Sequence, residues 1–277
     1  MTTGNKSILL IGESGVGKTH YGAQLLKRLM KGDGELRMDG AATNLEPFEA
    51  AMESLNEGVT AEHTATSTYV NSVWPIMDTK GRSAELVWPD YGGEQIKAMS
   101  TTRRFPAAWR DRVIASPAWL FVIRLHQTRA EDDVFSKPLK ELKGAVGDTR
   151  ETPMSDQARL IELLQMLVYV RGAIRPEPLH NPHLCVLLSC WDELNTEEAP
   201  PEVLRERLPL VADYIRSTWA EPSVFGLSAL GRPLKAREPD IDYASQGPEQ
   251  FGYIVLPDGK RLPDLTLPIQ ALLADAQ

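Results

Sequence analysis

An apolar run, Ile8-Leu9-Leu10-Ile11, leads directly into Gly12-Glu13-Ser14-Gly15-Val16-Gly17-Lys18-Thr19, and no other stretch restricts the fold as tightly. The pattern G-x-x-x-x-G-K-[ST] needs a strand before it and a helix after it. Its glycines let the backbone curl into a concave nest of inward-pointing N–H groups. The helix that opens at Lys18 adds the positive end of its dipole at the same place. Such a nest holds phosphate oxygens. Gly12, Glu13, Ser14, Gly15, Val16, Gly17, Lys18, Thr19 and His20 are therefore the expected phosphate-contacting residues, with Lys18 reaching the β/γ-phosphates and the Thr19 hydroxyl on Mg²⁺. The ligand class this implies is a nucleoside phosphate.

The rest of the chain supplies the other layers. Lys18 to Lys31 reads as a helix stopped by Gly32 and Gly34, and Asn44 reads as the N-cap of a second helix with Pro47 in its first turn. Tyr69–Met77 and Ser83–Trp88 flank Asp78-Thr79-Lys80-Gly81-Arg82, a hairpin signal. Residues 94–115 tend to helix, interrupted at Pro106. Ala118–Leu125, Leu184–Cys190 and Ser223–Leu227 read as buried strands. Ser155 and Asp156 cap a helix through Arg171, and Pro201–Trp219 is a helix interrupted at Pro209. Alternating strands and helices predict an α/β, three-layer architecture: a mostly parallel sheet with one antiparallel hairpin strand, covered by helices on both faces. Residues 126–154 are polar and read as an exposed insertion. A boundary near residue 232 divides a core at 1–231 from a C-terminal extension at 232–277. The extension carries a hairpin at Gly252–Leu262 and a closing helix at Pro268–Ala276.

The formal net charge of −8 and the lack of a basic block argue against nucleic acid as a partner. No run of 18 apolar residues exists, so no membrane span is expected. Met1 to Lys6 lacks the apolar stretch of a signal peptide. Cys185 and Cys190 sit on one strand-like run at an odd separation, on opposite faces, and cannot bridge there. A reducing, cytoplasmic setting fits them.

Two further stations narrow the nucleotide. Asp90-Tyr91-Gly92-Gly93 is a D-x-x-G sequence at the end of the second hairpin strand. An Asp there can hold Mg²⁺ through water, and Gly93 lets a backbone N–H approach the γ-phosphate. Asp192 ends a core strand, where open α/β sheets bind ligands. Its carboxylate can accept both N1–H and N2–H of guanine, a pair adenine does not present. Ser228-Ala229-Leu230 ends the next strand and could bring a backbone N–H to guanine O6.

These residues, over roughly 7–231, resemble the translation-factor and Ras-like class of P-loop GTPases. A more specific likeness is to the GTPase subunits of bacterial double-GTPase conflict systems. The resemblance implies a nucleotide switch, in which γ-phosphate and Mg²⁺ order two loops and GTP hydrolysis to GDP releases them toward a protein effector or second GTPase. The family's base-reading Asn-Lys-x-Asp is here Ser189-Cys190-Trp191-Asp192, so the Asn and the base-covering Lys are lost. Trp191 either stacks near the base or packs inside. The water-positioning glutamine falls on Glu94, with Gln95 beside it. A carboxylate facing the γ-phosphate repels it, so slow hydrolysis is expected. The switch hydroxyl on Mg²⁺ is Thr66 or Thr68 in preference to Thr64. Arg103 and Arg104 are either a charge-stabilising finger or surface charges.

Two other readings stay open. Asp192-Glu193 after an apolar strand is also the Mg²⁺ and water-activating pair of many ATPases, although that leaves Asp90 and Ser228–Leu230 unexplained. The Glu94 substitution also suits a GTP-bound scaffold that shifts a conformational population without turnover.

Overall fold

The computed structural model describes residues 7–61, 71–89, 96, 99, 102–128 and 155–275. The phosphate-loop strand β1 (Ser7–Gly12) is buried throughout and feeds helix α1 (Lys18–Lys31). There follow β2 (Leu36–Met38), α2 (Glu46–Asn56), the hairpin β3 (Asn71–Asp78) and β4 (Ser83–Pro89), α3 (Ala107–Ala115) and β5 (Ala118–Ile123). Beyond residue 155 come α4 (Asp156–Val170), β6 (His183–Ser189), α5 (Pro200–Arg207), α6 (Pro209–Thr218), β7 (Ser223–Ser228), α7 (Ile241–Gln246), β8 (Tyr253–Val255), β9 (Arg261–Leu262) and α8 (Leu267–Asp275). Among the described residues no helix is long and apolar enough to cross a membrane.

All the strands form one sheet, in the order β2-β3-β4-β1-β5-β6-β7-β8-β9. The five central strands, β4 to β7 in that order, run parallel. Antiparallel pairing occurs at both edges: β2 with β3 and β3 with β4 on one side, β7 with β8 and β8 with β9 on the other. One antiparallel strand was expected, and the sheet has more because short strands cap both ends. Residues 253–262 thus extend the same sheet that carries the phosphate loop.

Period-two alternation splits each central strand between two cores. Leu9, Ile11, Trp119, Phe121, Ile123, Val186 and Leu188 face α3, α4, α5 and α6. Ile8, Leu10, Leu120, Val122, Cys185 and Leu187 face α1, α2 and α8. This is the three-layer arrangement expected from the sequence. An aromatic cluster locks the hairpin to the α1 side: Phe48, Trp74 and Trp88 have ring centroids 4.9 to 5.2 Å apart.

Local chemistry decides several ends. Ser155 caps α4 by accepting from Ala158 N–H at 2.9 Å. At the hairpin turn the buried Asp78 accepts from the N–H groups of Lys80 and Arg82, at 2.9 and 2.8 Å, and from Arg82 Nε at 2.6 Å. The expectation for Asn44 was wrong. It has φ 53°, its side chain donates to the Asn71 carbonyl at 2.6 Å, and Leu45 takes the cap position of α2 without a side-chain bond. Asn44 can adopt that left-handed backbone and serve the neighbouring strand, which wins over capping. β2 and α7 lie in stretches whose glycines and prolines masked them.

Candidate functional site

The loop between β1 and α1 has the conformation its sequence demands. Gly15 and Gly17 have φ of 78° and 82°, values that side chains oppose. Gly17 is the residue preceding α1, and Tyr21 N–H bonds its carbonyl at 3.0 Å. Lys18 Nζ curls back onto the loop and donates to the carbonyls of Gly12, at 2.8 Å, and Glu13, at 2.5 Å. Burial pushes its pKa down to about 8. The ammonium thus rests against the carbonyl edge of its own loop, where burial disfavours its charged form. His20, in the first turn, has its Nε2 accepting from Ala61 N–H at 3.1 Å, just before the stretch of sequence in which a Mg²⁺-binding threonine was expected.

Asp192 and Ser228, the residues expected to read the base, come together at one rim of the sheet. β6 and β7 are parallel neighbours, so their C-terminal ends share an edge. There Ser228 Oγ donates to Asp192 Oδ1 at 2.6 Å and accepts from Gly231 N–H at 2.9 Å. Ser228 is fully buried, and its hydroxyl fixes both the Asp192 carboxylate and the turn Ala229-Leu230-Gly231. Asp192 keeps its second oxygen on a half-buried side chain. Cys190 begins the turn with φ 53°, and burial pushes its thiol up to about 11, which leaves it a weak nucleophile.

Trp191 is core. Its indole is 2% exposed and lies over Gly226 of β7, where an added Cβ would stand 2.5 Å from the ring. It does not stack on a base. The packing gives a prediction: Gly226→Ala should push the indole, cost about 1–3 kcal/mol and displace the Asp192 turn. Thermal melting and nucleotide titration of this variant check both effects; a variant with wild-type stability and affinity would contradict the packing argument.

Two arginines that the sequence did not single out reach the loop. Arg159 of α4 pairs with Glu13 and with Asp156, the latter at 2.5 Å. Arg124, next after β5, donates from Nη1 to the Gly15 carbonyl at 3.1 Å and from Nε to Glu193 Oε2 at 3.0 Å. Its Nη2 bonds Glu193 Oε1, so the carboxylate is held by two N–H groups. A charged residue ending an otherwise apolar strand was the signal available for Arg124. Arg103 is three-quarters exposed and pairs with Glu162 at 2.9 Å, and Arg104 is exposed, in keeping with surface charges.

Thr64, Thr66, Thr68, Asp90, Gly93, Glu94 and Gln95 lie outside the described residues, as do positions 129–154 of the expected insertion. Among the described residues no cluster of three His, Cys, Asp or Glu side chains could hold a metal.

The model of the double-GTPase 1 family matches residues 9–272. The chain belongs to that family. The match spans the loop, the Asp192 turn and the β8–β9 hairpin together. No curated protein matches this double-GTPase 1 chain. Among solved structures it is similar to Roco2 RocCORdC of Methanosarcina barkeri bound to GDP, at 17% identity and TM-score 0.31, over 83% of this chain and 45% of that one. It is also similar to the signal recognition particle receptor SRb-GTP/SRX complex of Chaetomium thermophilum, at 18% identity and TM-score 0.40, over 84% and 95% of the two chains. The Ski7 GTPase-like domain of S. cerevisiae bound to GTP shares 14% identity at TM-score 0.41, over 86% and 46%. This double-GTPase 1 chain therefore spans less than half of the Roco2 and Ski7 chains.

Proposed function

We propose that the chain is a guanine-nucleotide switch that binds Mg²⁺-GTP and GDP, hydrolyses GTP slowly and relays its nucleotide state to a protein partner, a second GTPase being the candidate the family name suggests. The carrying observation is the Ser228–Asp192 hydrogen bond on the rim that also holds the phosphate loop. It leaves one carboxylate oriented beside a turn whose N–H groups are ordered by the same hydroxyl. The side chains that the sequence assigns to Mg²⁺, the hydroxyls of Thr19 and of Thr66 or Thr68 and the carboxylate of Asp90, are all hard oxygen donors, the kind that ion takes. When bound, Mg²⁺ would neutralise charge on the β- and γ-phosphates. Lys18 would donate to the same phosphates. Glu94 or Gln95 would orient the attacking water.

The ATPase reading loses ground here. It needs Glu193 as a free water-activating carboxylate, and Glu193 is spent on Arg124. A conflict-system role in a reducing cytoplasm fits the two free cysteines, Cys185 buried and Cys190 half-buried.

The test is a titration with labelled GDP, GTP and ATP, with and without Mg²⁺. GTP and GDP should bind, and ATP should compete poorly. Asp192→Asn should weaken GDP binding about a hundredfold, because two hydrogen bonds to a charged acceptor are lost. The same variant should gain xanthosine diphosphate, whose C2 oxygen accepts from the new amide. If ATP competes as well as GTP against the wild-type protein, the guanine assignment fails.

A further inference from the structure

In the sheet order β1-β5-β6, the strand β5 lies between the one that carries the phosphate loop and the one that carries the Asp192 turn. A side chain at the C-terminal end of β5 is therefore placed to touch both, and Arg124 does. Its guanidinium bonds the Gly15 carbonyl on one side and both oxygens of Glu193 on the other. Glu193 follows Asp192 in the single helical turn Trp191–Glu193. The base-reading motif itself brings no cation here, since Cys190 occupies the place of the base-covering lysine.

We propose that Arg124 is a positioning residue that couples the phosphate loop to the base-reading turn, replacing from the neighbouring strand the lysine that Cys190 displaced. The proposal rests on the guanine-nucleotide reading above. Its physics starts from the planar peptide. Fixing the Gly15 carbonyl toward Arg124 turns the N–H of Val16, on the opposite edge of the same plane, away from Arg124. That leaves the Val16 N–H on the side away from the guanidinium, available to the proposed phosphate cradle. The planar, two-pronged bond to Glu193 sets the guanidinium orientation, which a lysine ammonium would not. Base and phosphate stations are thereby held at one separation before any nucleotide arrives, which lowers the ordering cost of binding.

The experiment measures the GDP dissociation constant of the full chain with fluorescent GDP and Mg²⁺. Arg124→Ala should weaken GDP binding about tenfold or more, the worth of a lost charged hydrogen bond. Adding Cys190→Lys to it should recover most of that loss, since the ammonium then reaches the loop from the motif side. A purely structural role for Arg124 would not respond to that second change. Should Arg124→Ala fail to fold, Glu193→Gln serves instead, and it should weaken GDP binding several-fold with Arg124 still present. Arg124→Ala within twofold of wild type, no recovery in the double variant, or unchanged affinity in Glu193→Gln each overturns the proposal. A wild-type protein that does not bind GDP overturns the nucleotide reading instead.

Discussion

Lys18→Ala is expected to abolish nucleotide binding while the protein stays folded. The ammonium donates to carbonyls of its own loop, at Gly12 and Glu13. It is buried, and burial pushes its pKa from 10.5 to about 8. Below pH 8 the folded state therefore carries a charge that the unfolded chain hydrates better. Between pH 8 and 10.5 the unfolded state binds more protons, so stability from this group rises with pH. Removing the charge at neutral pH takes away a burden on the fold and should leave the melting temperature equal or higher. Binding responds in the opposite sense. A polyphosphate draws on the positive charge of this ammonium, and alanine offers no cation to it. Ligand at a hundred times its dissociation constant stabilises a native protein by about 2.7 kcal/mol. GDP should raise the melting temperature of wild type and leave that of Lys18→Ala unmoved. A variant that GDP still stabilises equally would remove the phosphate loop from the site.

The sequence made the phosphate loop legible because its conformation is encoded locally. Gly15 and Gly17 stand where φ is positive, and strand and helix flank them as the pattern requires. Buried parallel strands were legible for a similar reason, being continuous apolar runs between turns. Asp192 and Ser228 were legible as the ends of successive strands, and parallel pairing of β6 with β7 brings them to 2.6 Å. What escaped notice depends on tertiary contact. Nothing local marks Glu193 as the partner of Arg124, or Arg159 as the partner of Glu13. Trp191 could have faced base or core, and only the side-chain-free surface of Gly226 decides for the core. Asn44 looked like a cap by residue type, yet the nearby β3 backbone claims its side chain.

A chain ending at residue 231 is expected not to fold, although composition changes at that point as it would at a domain boundary. β8 completes the ladder on β7, pairing Leu227 with Ile254 and Ser228 with Tyr253. Ile254, Val255, Leu265, Ile269, Leu272, Leu273 and Tyr243 are each at most 2% exposed. Burial of so many large side chains is worth on the order of 10 kcal/mol even at the low end per residue. That equals the whole stability of an ordinary domain, about 5–15 kcal/mol. The polar contacts point the same way. Tyr21 donates to the Leu265 carbonyl at 3.0 Å, and Gln24 donates to Tyr243 Oη at 3.0 Å and the Pro248 carbonyl at 2.9 Å. Arg28 donates to the Phe251 carbonyl at 2.5 Å. All three residues lie on α1, the helix that begins at Lys18. The segment after 232 therefore braces the helix whose N-terminus faces the phosphates, and losing it strips that helix of buried partners. Expression of residues 1–231 should give insoluble protein, or protein without a cooperative melting transition. A soluble 1–231 fragment that melts cooperatively and binds GDP would establish residue 232 as a true domain boundary.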